Sequence, residues 1–174
     1  MNKTFIHLFL SFIVLPPLLP AQSPTSTYDP QKISKPIRKI VKDIAEKNEI
    51  HGDAVSIVAA KTPQYLRFVE LYIKASSEEL LELVEHPNPA VRGYAFWGLA
   101  KQHYEKLEVI IMSHAADEQL VYQIEGCKGS EIPVIDFMFW VVTPEMIDWD
   151  CKKLAIAALD RLQERRGLLK KSRE

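Results

Sequence analysis

The stretch HPNPAVRGYAFWGLAK, residues 86–101, decides how the rest of the chain is read. Two prolines bracket an asparagine. After them, Val91, Tyr94, Ala95, Phe96, Trp97, Leu99 and Ala100 put apolar groups on every side of a helix. Pro89 presets φ for a first helical turn, where its missing N–H costs nothing. Asn88, one residue earlier, is a favoured N-cap. A helix that is apolar all round must be covered all round, so other elements have to pack on it from several directions. Arg92 is the one charge in the first turns, and its guanidinium can reach carbonyls of the preceding turn. Trp97 follows Phe96, and the two cannot share a helix face, so one of them should line a neighbouring interface or a groove.

Helical periodicity continues upstream. Ser76 and Glu79 form the S-x-x-E pattern of a capping box, ahead of a stripe made by Leu80, Leu81, Leu83 and Val84. Thr62-Pro63 starts another helix, with Tyr65, Leu66, Val69, Tyr72 and Ile73 on one side. Ile33, Ile37, Ile40, Val41 and Ile44 mark the face of a helix that should end near Asn48. His51-Gly52-Asp53 is then expected to break the chain, and 53–60 to make a helical turn or two. Downstream, Tyr104–Ser113 carries a helical stripe with Leu107, Ile110 and Ile111 inward. Residues 120–134 change character. β-branched and aromatic residues flank Cys127-Lys128-Gly129, which suggests a small β-hairpin or an irregular loop. FMFWVV, residues 137–142, should be a buried helix. A last helix is expected from Asp150 to Arg166, with Cys151, Leu154, Ala155, Ala158, Leu159 and Leu162 on one face.

EELLELVEHPNPAVRGYAFWGLAK, residues 78–101, resembles one HEAT repeat: two antiparallel helices joined by a tight turn, with Asn-Pro followed by Val-Arg and small residues. The segment from Gly52 through this repeat is also similar to small exported bacterial proteins of degenerate HEAT-like fold. The resemblance implies an all-α architecture over residues 33–174, with helix pairs stacked as a short solenoid, since a solitary pair cannot bury its faces. It assigns Asn88, Pro89 and Arg92 to the repeat turn. The family usually has Asp where this chain has Asn88, so a turn-to-arginine bond would lack charge assistance. Such solenoids bind partners on a concave face, which makes Tyr94, Trp97 and Tyr104 the candidate partner-binding residues.

The ends and the composition narrow the function. Residues 1–21 have the charged start (Lys3), apolar stretch and small residue (Ala21) of an export signal, and 22–32 form a Ser/Thr/Pro-rich linker. This places the protein in a periplasm or outside the cell, with no stable membrane span after cleavage. The net charge is −1. Losing Lys3 would move it one unit further down, whereas a nucleic-acid binder would be expected to carry a basic surplus. About 150 residues remain, enough for one domain with one core. Cys127 and Cys151 either pair as a disulfide, as an oxidising compartment permits, or stay free thiols. The histidines lie far apart in sequence, and the chain has no H-E-x-x-H, C-x-x-C, G-x-S-x-G or phosphate-binding glycine loop. No cofactor or metal is therefore expected, and no catalytic residue is assigned. Asp117-Glu118 and Asp148/Asp150 are expected at helix starts, where carboxylates suit the dipole. These readings converge on an exported module or scaffold that binds another protein. The alternatives are an exported hydrolase or metal enzyme built from scattered His and acidic residues, and an inhibitor or immunity-type protein.

Overall fold

The structure, a computed structural model, describes residues 27–55 and 61–172. The export-signal reading of 1–21, the first part of the linker and the reading of 56–60 lie outside the described residues. Within them the chain forms seven α-helices and three strands in the order α1 Lys35–Lys47, β1 Glu49–Val55, α2 Pro63–Lys74, α3 Ser77–Leu83, α4 Pro89–Lys101, α5 Leu107–Ser113, β2 Leu120–Gly126, β3 Lys128–Pro133, α6 Val134–Val142 and α7 Ile156–Lys171.

The expected all-α solenoid is not what the chain makes. A three-stranded mixed sheet, in the order β1-β2-β3, is built into the same core as the helices. β1 runs parallel to β2, pairing Ile50 with Gln123 and His51 with Ile124. β2 and β3 form an antiparallel hairpin from Leu120↔Pro133 to Glu125↔Lys128. The small hairpin expected near 120–134 is thus the larger part of a sheet that it shares with β1. β1 replaces the expected break. Gly52 and Asp53 are poor strand formers, but a Cβ on Gly52 would stand 1.7 Å from a carboxylate oxygen of Glu125. Gly52 leaves that space to the Glu125 carboxylate, which reaches across from the neighbouring strand. Gly126, at φ +57°, turns the hairpin, and glycine adopts that conformation without strain.

The helices begin where local chemistry places them. Thr62 caps α2 by accepting from the Tyr65 N–H at 3.2 Å. Ser76 and Glu79 form a reciprocal capping box on α3. Asn88 caps α4 by accepting from the Val91 N–H at 3.1 Å, with Pro89 in the first turn. Asn48 closes α1 in the left-handed region. α4 is the axis of the fold and touches α1, α2, α3, α5, α6, β1 and β2. All of its residues from Pro89 to Ala100 are buried, which is the environment its sequence demands. Phe68 stacks on Trp97 at 4.2 Å between ring centroids and on Tyr94 at 5.0 Å, while Phe137 meets Trp97 edge-on at 5.7 Å. The inner sheet face closes this core with Ile50, Val121 and Ile132.

The last helix begins later than the sequence suggests. Cys151 and Leu154 lie in the loop before α7 instead of on its face, because that loop spends its N–H groups on other elements. The Lys152 N–H donates to Ala100 O at 3.0 Å and the Leu154 N–H to Val142 O at 2.9 Å.

Candidate functional site

The residues assigned to the repeat turn form a buried clamp. Arg92 sits one turn into α4, 7% exposed. Its Nη1 donates to His86 O at 2.8 Å and Pro87 O at 3.0 Å. Its Nε and Nη2 grip Asp117 bidentately at 2.7 and 2.9 Å, and Nη2 also reaches Gln119 Oε1 at 2.8 Å. Every donor direction is answered, so this is a structural knot between the α3–α4 turn and the segment entering β2. The Asn88 side chain does not bond the Arg92 guanidinium; only the Asn88 carbonyl accepts, from the Arg92 backbone N–H at 3.2 Å. The Asn88 Nδ2 donates to Asn48 Oδ1 at 2.9 Å, which ties the cap of α4 to the end of α1. The carboxylate that charges the arginine bond comes from Asp117, 25 residues on. His86 is half-buried at the same turn, with Nδ1 accepting from the Asn88 N–H at 3.0 Å. Burial first, then the nearby Arg92 charge, push its pKa down to about 4.

The aromatic candidates separate. Tyr94 and Trp97 are both in the core, so neither offers a face to a partner. The Tyr94 hydroxyl accepts from the His51 N–H at 2.7 Å and anchors β1. Tyr104 is half-buried against the core, and its N–H donates to Leu99 O at 3.0 Å, closing α4. The cysteines separate too: Cys127 is an exposed free thiol at the hairpin turn and Cys151 a buried one. Burial, with the Asp148 carboxylate nearby, pushes Cys151 up to about 12.

Trp97 nevertheless organises a surface. Its Nε1 donates to Asp148 Oδ2 at 2.9 Å, and Lys101 reaches Asp148 Oδ1 at 3.0 Å. Burial alone would raise the Asp148 pKa, but the Lys101 ammonium and the Trp97 N–H outweigh it and hold the carboxylate ionised. Asp148 adopts φ 55°, and its carbonyl accepts from the Cys151 N–H at 3.2 Å. Lys153 lies against the same loop, donating to Val141 O at 2.8 Å and Ile147 O at 2.6 Å. The α6–α7 loop is therefore fixed from below. On its outer side stands Trp149, 78% exposed, with Met146 also exposed nearby in sequence. Glu145 and Asp150 flank them, both exposed. Sequence reasoning missed this site by placing Asp148 and Asp150 at a helix start. The available signal was one tryptophan between two aspartates, with no apolar periodicity around it.

A second polar group was also missed. His51 on β1 is buried, and its Nε2 lies 2.7 Å from Glu49 Oε2 while its Nδ1 lies 2.8 Å from Thr62 Oγ1. With Glu49 ionised, Nε2–H donates to the carboxylate and the Thr62 hydroxyl donates to Nδ1. Burial would raise the Glu49 pKa, but bonds from His51 and Lys47 lower it overall. Gln64 adds a bond from Nε2 to Glu49 O at 2.7 Å. This acid–imidazole–hydroxyl chain joins the α1–β1 corner to the N-terminus of α2.

Among the described residues no three His, Cys, Asp or Glu side chains converge as a metal site, and no helix is long and apolar enough to cross a membrane. No protein-family model and no curated protein matches this chain.

Proposed function

We propose that the protein is a binding module that engages a protein partner through the α6–α7 loop, with Trp149 as the anchor. The observation that carries this reading is a tryptophan 78% exposed on a loop whose backbone and underside are held by Trp97, Lys101 and Lys153. Tryptophan is a preferred interface anchor, and a loop held in place before binding loses little entropy when it docks. Glu145 and Asp150 give the patch an acidic rim. Its complement is an apolar pocket bordered by Lys or Arg on the partner, since opposite charge steers and orients the encounter. Taken with the export reading of residues 1–21, the partner belongs to the cell envelope or its surroundings. A photo-crosslinking amino acid at Met146 tests this in living cells. One abundant covalent adduct at 146, absent when the probe is at exposed Ile73 on α2, is the expected result. No adduct, or the same adducts at both positions, would overturn it.

The Glu49–His51–Thr62 chain favours a second reading, that of a hydrolase, because a hydroxyl beside an oriented base is how nucleophiles are activated. Two features weigh against it. Thr62 already serves as the cap of α2, and His51 is buried. p-Nitrophenyl acetate separates the readings. The hydrolase reading requires release above the solution rate that is lost in Thr62→Ala, and the binding reading expects none.

A further inference from the structure

We propose that the outer face of the sheet, at its hairpin end, is a second binding site, one that takes a small uncharged aryl compound. The inference does not rest on the Trp149 reading. A concavity of about 440 Å³ opens there, floored by Val55 from β1 and by Tyr122 and Ile124 from β2. That volume lies within the range of small-ligand pockets, roughly 300–1,000 Å³.

The register explains why β3 leaves this space uncovered. Ile124 pairs with His51 on one side and with Gly129 on the other, so its β3 neighbour has no side chain to cover it. A side chain at Gly129 would require the Tyr122 ring to move. A Cβ there would stand 2.5 Å from the Tyr122 hydroxyl and 2.9 Å from the ring. The tyrosine ring leans over the glycine and makes one wall. The pairing of β1 with β2 is irregular between His51 and Val55, which brings Val55 opposite Gly126 at the hairpin end.

The lining sets the ligand class. It offers two aliphatic side chains, one phenol ring, the Cys127 thiol and glycine backbone. Among the described residues Lys128 is the only charged one lining it; it stands opposite Glu125 in the β2–β3 register, and strand alternation sends both toward the other face of the sheet. An ionised ligand would lose hydration here without a partner. An aryl ring can stack on Tyr122 and rest on Val55 and Ile124.

The test uses N-phenyl-1-naphthylamine as an uncharged aryl probe, with Cys127 as a built-in reporter, on the purified full chain. The expected result is a saturable fluorescence rise at one dye per chain. At saturation, maleimide labelling of Cys127 should slow at least tenfold. Tyr122→Ala and Val55→Asp should each weaken dye binding at least tenfold, and Trp149→Ala should leave it unchanged. The two variants lie on different strands, so one remains informative if the other fails to fold. No saturable rise, dye binding without protection of Cys127, binding that survives in the folded variants, or loss only in Trp149→Ala would each overturn the proposal.

Discussion

Arg92 shows how much one side chain can fix. It is buried, and it bonds two turn carbonyls, one carboxylate and one amide. Removing it leaves Asp117 as a half-buried charge without its partner, and breaking a buried ion pair costs several kcal/mol. Arg92→Ala should therefore lower unfolding free energy by about 3 kcal/mol in a urea titration. An unchanged midpoint would remove Arg92 from its place as the clamp. Thr62→Ala should cost about 1 kcal/mol, the usual loss for a helix cap. Trp149→Ala is the opposite case. Its side chain is mostly in water, so its stability should stay within about 0.5 kcal/mol of the parent.

Close packing of elements around α4 sets the next scale. Gly93 lies where α4 meets β1 and α6, and a Cβ there would stand 2.5 Å from Ile50 Cδ1 and 3.2 Å from Phe137 Cδ1. Gly93→Val should destabilise by about 3 kcal/mol through overpacking, read as a shift in the denaturation midpoint. The α3–α4 turn carries a pH dependence. His86 has its pKa lowered from 6.5 to about 4, so the unfolded chain takes up the proton first. The stability associated with neutral His86 is full above about pH 6.5 and falls as pH drops toward 4. His86→Asn should flatten thermal stability across that window, and an unchanged slope would contradict the assignment. The legibility of the elements follows from the range of their causes. Caps at Thr62, Ser76 and Asn88 were readable because each bonds within three residues. β1 was not, because Gly52 answers to Glu125 and Ile50 to Gln123, both more than seventy residues away. The late start of α7 was hidden for the same reason: Trp97 and Lys101 hold Asp148 from another helix.

At the scale of the molecule, α3 and α4 are one helix pair inside a mixed α/β architecture. The turn chemistry of residues 86–92 follows from the sequence, and α3 and α4 do pack together. The second helix of the pair, however, is enclosed by a sheet as well as by helices, and so Tyr94 and Trp97 became core instead of surface. The surface proposed for binding is instead a loop that Trp97 supports from within. The two thiols are distinguished by the same enclosure. Maleimide should label one cysteine per native chain quickly, Cys127, and reach Cys151 only on unfolding. Two fast thiols would mean that the α6–α7 loop is not held down. The most direct measurement of the partner claim compares the parent and Trp149→Ala as tagged proteins. Each is mixed with envelope and secreted extract and quantified by mass spectrometry, after equal stability has been verified. One stoichiometric protein, with a basic apolar pocket, should be retained by the parent and reduced at least tenfold by the variant. Equal retention by both, or nothing retained by the parent, would contradict it.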